Sequence, residues 1–282
     1  MRPARGIRVL RQILKIELLM NMRSKWIVGF SVAFALLAMG ISYFGLALIG
    51  YEVEFQDFYR TVASLLNLVI YIVPIVALVI GANSFSVERG DLDMLLSQPV
   101  SRTQVLLGKM GGLFGTVVLS TLIGFGIAGV IIALKCGYEG AWKYLIFVAL
   151  CIGMGTVFLS LAALISVLAR RRAKALVVTL LLWAFFVIFY DLVVIALSYY
   201  VEEAYVRPLL YFSLLANPVD IVRVLTLMVI GGIAALGPAG AGMLRQFGGL
   251  WTSLILSLAM LVVWIIIPLA GAVLVFKRQD IL

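Results

Sequence analysis

A chain of 282 residues that is 64% hydrophobic and only 12% charged, with a mean hydropathy of +1.18, carries more apolar surface than a soluble domain of that length can bury. It reads as an all-α polytopic membrane protein. Its net charge of +9 would suggest nucleic acid in a soluble chain, but here the basic residues stand beside long apolar runs, so the expected partner is the membrane and not nucleic acid. There is no histidine, and Cys136 and Cys151 form no C-x-x-C pair, so a disulfide framework, a zinc site and a His-dependent triad all lack their residues.

The first element is a basic amphipathic segment, residues 5–22. At helical spacing Ile7, Leu10, Leu14 and Leu18 fall on one face, and Arg5, Arg8, Arg11 and Lys15 on an adjoining arc. Such a helix is expected to lie in the headgroup layer with its cations among anionic lipids. The apolar run behind it is too long for the core of a signal peptide and has no convincing cleavage site, so the segment is expected to stay attached.

Six apolar runs follow, near Trp26–Ile49, Val62–Ser84, Val105–Leu134, Tyr144–Ala169, Ala175–Tyr199 and Trp251–Phe276, each long enough to cross the hydrocarbon core as a helix. With the N terminus placed in the cytoplasm, sixteen of the twenty-two basic residues fall on the cytoplasmic side, and so does the C terminus with Lys277 and Arg278. The expected location is the bacterial inner membrane.

Between the second and third runs lies a polar island. Within it Leu92, Leu95 and Leu96 recur at helical spacing, Gly90 and Asp91 offer a start, and Pro99 a stop. A short helix of this kind, with one apolar ridge and no lipid-length run, is suited to a groove on a soluble partner. The run Glu88-Arg89-Gly90-Asp91-Leu92-Asp93-Met94-Leu95-Leu96-Ser97-Gln98-Pro99-Val100-Ser101-Arg102, followed by Leu107-Gly108-Lys109, resembles the loop after the second span of type-2 ABC transporter permeases. The family's Thr-Leu-Glu core stands here as Asp91-Leu92-Asp93, and one spacer residue before Gly90 is missing.

The resemblance implies a single ABC-2 type transmembrane domain over residues 1–282, with an interfacial elbow helix at 5–22, a coupling loop at 88–104, six spans and both termini cytoplasmic. It also implies a permease homodimer and a separate cytoplasmic ATPase, contacted through Glu88, Asp91, Leu92, Leu95, Leu96 and Arg102. The chain has no P-loop of its own: Lys109 follows Gly108, but Thr103 stands where the first glycine belongs and Met110 where the hydroxyl belongs. No cofactor is therefore expected on this chain, and ATP and Mg belong to the partner ATPase.

Residues 200–250, expected on the periplasmic side, contain Leu214-Leu215-Ala216-Asn217-Pro218-Val219-Asp220-Ile221-Val222-Arg223. Asn217-Pro218 signals a turn and Asp220 can start a helix. Leu225 to Met243 is apolar enough for a seventh span, but its glycines and Pro238 argue against a continuous helix, and a seventh span would put Lys277 and Arg278 outside. Short helices on or dipping into the outer leaflet are expected instead. The L-L-x-N-P-x-D-I-x-R stretch is similar to that of the NosY-type permease subfamily, the membrane part of the accessory transporter that matures the copper centre of nitrous oxide reductase. Val222 here replaces the usual aromatic residue. That resemblance implies a NosF-like ATPase and a NosD-like periplasmic repeat protein as partners. Ile221, Leu225 and Met228 would make a docking ledge for the latter, with Asn217 and Pro218 at its turn and Asp220 and Arg223 at its polar edge.

Asp191 is the acid deep in an apolar run. It either faces a pathway or a partner cation, or lies near the outer headgroups and pairs with a tyrosine hydroxyl or Arg207. Cys151 and Met154, at i and i+3, form a soft pair better read as packing than as a metal site. Gly108/Gly112 and Gly111/Gly115 let another helix approach closely. A permease for a drug or lipid remains the alternative function, while a membrane enzyme lacks a visible nucleophile–base pair or metal cluster.

Overall fold

The computed structural model describes residues 3–46, 55–85, 101–169, 171–231 and 248–278. Their regular structure is helical: α1 (Pro3–Met22), α2 (Lys25–Leu46), α3 (Phe55–Phe85) and α4 (Arg102–Ala169). Next, α5 (Arg172–Ala184) runs through a π-helical turn at Phe185–Phe189 into α6 (Tyr190–Ser198). The last three are α7 (Glu203–Ala216), α8 (Pro218–Gly231) and α9 (Leu250–Arg278). Of the expected coupling residues, Glu88, Asp91, Leu92, Leu95 and Leu96 lie outside the described residues, and Arg102 opens α4.

With 68 residues α4 would be about 100 Å long if straight, some three times the hydrocarbon core. It folds back instead at Gly137, where φ 66° and ψ −162° are open to a residue without a Cβ. The arms then pack antiparallel. Tyr144 Oη donates to the Phe125 carbonyl at 3.0 Å, and the Phe125 and Phe147 rings meet edge to face at 5.4 Å. Nearer the other end, Gly155 faces Val117. Five helices are long and apolar enough to cross a membrane. Since α4 supplies two lengths, the bundle has six among the described residues, matching the six apolar runs of the sequence.

Contacts between these lengths fix their directions. Arg172 Nε donates to Asn83 Oδ1 at 2.9 Å and Trp183 Nε1 to the Tyr71 carbonyl at 3.0 Å, so α5 runs antiparallel to α3. Gly153 lies against Leu261 and Gly271 against Leu164, so α9 runs parallel to the second arm of α4. The start of α2, the end of α3, both ends of α4, the start of α5 and the end of α9 therefore share one end of the bundle. Arg23, Lys25, Arg171, Arg172, Lys174, Lys277 and Arg278 all sit there. The opposite end carries exposed aromatics, Tyr138, Trp142, Tyr199, Tyr200 and Trp251, in the manner of a membrane–water interface.

Of the seventh apolar stretch, residues 232–243 lie outside the described residues. Asn217 meets Phe186 and Arg223 meets Asp191, so α8 runs alongside α5–α6 toward the aromatic end, and α7 and α8 form a re-entrant pair bent by 103°.

Ahead of the spans, α1 packs on the first arm of α4 along its glycines. Ile13 lies over Gly108, Leu14 over Gly111, Glu17 over Gly112 and Leu18 over Gly115. The docked face thus combines the expected Leu10, Leu14 and Leu18 side with Ile13 and Glu17. Arg8, Arg11 and Lys15 are exposed on the far side, with Ile16 and Met20 exposed on a flank.

A Cβ at Gly112 would come within 2.6 Å of Glu17 Cβ and 2.8 Å of the Leu14 carbonyl, whereas one at Gly126 meets nothing within 4 Å. Gly112→Val is accordingly expected to cost about 1–3 kcal/mol, read as a lower Tm in detergent. Gly126→Ala is expected to be neutral or to stabilise by up to about 1 kcal/mol, because it removes only backbone freedom. Equal effects of the two would rule out glycine-mediated docking of α1.

Candidate functional site

The densest polar cluster in the apolar bundle surrounds the bend between α7 and α8. Asn217 adopts an extended conformation there (φ −115°, ψ 115°), as the residue before a proline should, and Pro218 opens the next helix, where its missing N–H costs nothing. Asn217 is 1% exposed and caps α8 with its own side chain: its Oδ1 accepts from the Val219 N–H at 3.0 Å. Its Nδ2 donates to Asp220 Oδ2 at 2.8 Å and to the Phe186 carbonyl at 3.1 Å.

The last contact explains the π-helical turn. In an α-helix the Tyr190 N–H would donate to the Phe186 carbonyl, but here it donates to Phe185. The Phe186 oxygen is thereby turned to the elbow, which lies about 18 Å from the aromatic end of α6, counted along the helix. Two further bonds seat the elbow. Tyr190 Oη donates to the Ser213 carbonyl at 2.7 Å and Trp264 Nε1 to the Leu215 carbonyl at 3.3 Å. Carbonyls at the end of α7 that would otherwise face lipid are satisfied this way.

Charge follows the same geometry. Asp220 is buried, and Arg223, one turn on, donates to its Oδ1 at 2.9 Å. The same guanidinium reaches Asp191 Oδ2 at 3.4 Å. Arg223 is thus a cation partner of Asp191, and the Arg207 side chain lies outside the described residues. Asp191 itself is half exposed, so the cluster opens outward at Asp191 and closes inward at Asp220.

The expected docking ledge is corrected by this placement. Ile221 and Leu225 are each 1% exposed, Met228 is buried, and α8 is buried at ten of its fourteen positions. Ile221 and Leu225 fill the protein's own core between α3, α4 and α9, Met228 packs with Val224 against α7 and α9, and Asn217, Pro218 and Asp220 are buried with them. The sequence pattern showed a short apolar helix but not that it enters the bundle. Cys151 and Met154 are fully buried among apolar neighbours, as packing requires. Among the described residues no three metal-ligating side chains gather.

A second polar cluster, missed in the sequence, lies at the basic end. Glu17 is buried. Its Oε1 accepts from the Ser84 hydroxyl and from Asn21 Nδ2 at 3.1 Å, and Asn21 also donates to the Glu17 carbonyl at 2.8 Å. Lys109 Nζ donates to the Ser84 carbonyl at 2.8 Å. The available signal was the position of Glu17: Leu10, Leu14, Glu17 and Asn21 share a helical face, so an acid sits on the docking side and not on the basic one.

Six membrane-length helices, a re-entrant pair ahead of the last and an amphipathic helix ahead of the first describe a transporter membrane domain. Residues 11–281 match the ABC-2 family transporter protein, and the chain belongs to that family. It is 35% identical over 274 residues to the probable ABC transporter permease protein NosY of Pseudomonas aeruginosa, covering 94% of this chain and 96% of that one. To the probable ABC transporter permease protein NosY of Stutzerimonas stutzeri it is 33% identical over 274 residues, covering 93% and 96%.

Removing Arg223 would strand the buried Asp220 carboxylate in an apolar surround. Arg223→Ala is expected to cost roughly 2–4 kcal/mol, Asp191→Asn no more than about 1, because Asp191 is half exposed. Adding Asp220→Asn to Arg223→Ala should recover part of the loss. Thermal unfolding in detergent checks the order, and a double variant no better than Arg223→Ala would contradict the pairing.

Proposed function

We propose that this chain is the permease subunit of an ABC transporter that works with a separate cytoplasmic ATPase, and that it serves maturation of the copper site of nitrous oxide reductase. The observation that carries the reading is likeness along nearly the whole chain to permeases named NosY. In this reading the basic end of the bundle faces the cytoplasm, where Lys and Arg are retained. The coupling loop, residues 88–104, meets the ATPase through Glu88, Asp91, Leu92, Leu95, Leu96 and Arg102, and closure of the ATPase on ATP drives the spans between two states. ATP and Mg stay on that partner, which is NosF-like. A NosD-like periplasmic protein would bind at the aromatic end, where Tyr138, Tyr199 and Tyr200 are exposed, and two copies of the permease would pair. What is moved or transmitted would be a sulfur- or copper-related species, or force.

Two experiments test the reading. With Cys136 and Cys151 replaced by alanine, single cysteines in place of Tyr138 and Ala173 are expected to react with a membrane-impermeant thiol reagent from opposite sides. Reaction of both from one side would end the six-span arrangement. In the host, loss of the chain is expected to leave nitrous oxide reductase without its copper-site absorption. Wild type should restore the absorption. Leu95→Asp should insert normally yet fail to retain the ATPase and fail to restore it, since a charge would be buried in an apolar groove. Normal copper-site absorption without the chain would leave an exporter of a drug, lipid or other substrate.

A further inference from the structure

We propose that Glu17 is a positioning residue for coupling. In this assignment its carboxylate, with Lys109 and Arg172, holds the end of α3 in a polar hub, so that movement of residues 86–100 reaches α1, α4 and α5 together. The inference rests on the proposed function and adds to it the residues that pass the motion on.

The hub is built on two consecutive residues, Asn83 and Ser84, at the end of α3. Three elements reach them. From α1, Glu17 accepts the Ser84 hydroxyl proton; from α4, Lys109 Nζ donates to the Ser84 carbonyl at 2.8 Å; from α5, Arg172 Nε donates to Asn83 Oδ1 at 2.9 Å. Ser84 stands two residues before the segment 86–100 and Lys109 nine residues after it. The chain entering and the chain leaving that segment are therefore joined to each other, and both to α1.

Glu17 is buried and the two bonds to Ser84 are partly shielded from water, which strengthens them, while the Arg172–Asn83 bond is exposed. Glu17 contributes more than contact area. Apolar neighbours along the α1–α4 seam exclude water, while the carboxylate ties α1 to α3 through a bond whose direction matters. A leucine at position 17 would keep the packing over Gly112 and lose the tie, whereas a glutamine keeps an acceptor oxygen at the same place.

The test uses the purified permease–ATPase complex in lipid nanodiscs and reads ATP turnover, the amount of ATPase retained and the Tm. Glu17→Leu is expected to lower permease-dependent turnover about tenfold, the scale of one lost charge-assisted hydrogen bond, with ATPase retention and Tm near wild type. Glu17→Gln should keep at least about half of the turnover, because an acceptor remains. Glu17→Leu turning over at the wild-type rate would overturn the inference. So would equal losses in the two variants, which would point to packing. If Glu17→Leu fails to fold, Ser84→Ala decides: removing one hydroxyl should lower turnover roughly threefold, and an unchanged rate overturns the inference. A wild-type complex with no permease-dependent turnover would instead remove the proposed function, and the inference with it.

Discussion

Lipid offers no hydrogen-bond partner to a backbone amide, and the breaks at Gly137 and Asn217 both answer that constraint. The break at Gly137 falls at the aromatic end of the α4 hairpin, where water can complete the bonding, and needs only a residue tolerant of positive φ. The elbow at Asn217 lies in the bundle interior, where water is not available. There one side chain supplies a cap for α8, a donor to Asp220 and a donor to the Phe186 carbonyl, while Tyr190 and Trp264 satisfy carbonyls of α7. The π-helical turn in the fifth span and the elbow of the re-entrant pair are two halves of one solution. One presents a carbonyl, and the other consumes it.

Once the elbow is inside, the charges follow. Asp220 starts α8 in the position that favours an acid, near the helix N terminus, but burial makes that acid costly without a cation. Arg223, one turn away, reaches both Asp220 and, on the neighbouring span, Asp191 through one nitrogen, Nη1. Arginine suits this role because it stays charged when partly buried. The cluster therefore joins α8 to the fifth span and does not present a polar edge to a soluble partner.

Much of this architecture was legible in the sequence. The six apolar runs, the break between the third and fourth and the close approach permitted by Gly108, Gly111, Gly112 and Gly115 all follow from composition, length and spacing. Two things were not legible, for one reason. The direction in which Ile221 and Leu225 point, and the identity of the helix that uses the glycines, depend on which elements are neighbours in space. Hydropathy cannot separate a helix lying on the outer leaflet from one buried in the bundle, because both are apolar. A buried carboxylate such as Glu17 is likewise indistinguishable, by hydropathy alone, from an exposed one on a basic helix.

The glycine seam shows what the polar contacts add. Gly108, Gly111, Gly112 and Gly115 repeat every three or four residues, and Ile13, Leu14 and Leu18 are alike in size. Shifting α1 by one turn would set Ile13 over Gly112 and Leu14 over Gly115 with similar burial, so apolar packing alone defines the register weakly. The Glu17 carboxylate meeting the Ser84 hydroxyl favours one register, since a shift of about 5 Å would break that bond and leave Glu17 with Asn21 of its own helix as its partner. Asn217 does the same for α8 against the fifth span through the Phe186 carbonyl. The elements that do not span the bilayer, α1 and the α7–α8 pair, are each indexed to the spans by a buried polar contact. Polar contacts of the same kind also join spans to each other, as Tyr144 to the Phe125 carbonyl and Trp183 to the Tyr71 carbonyl do.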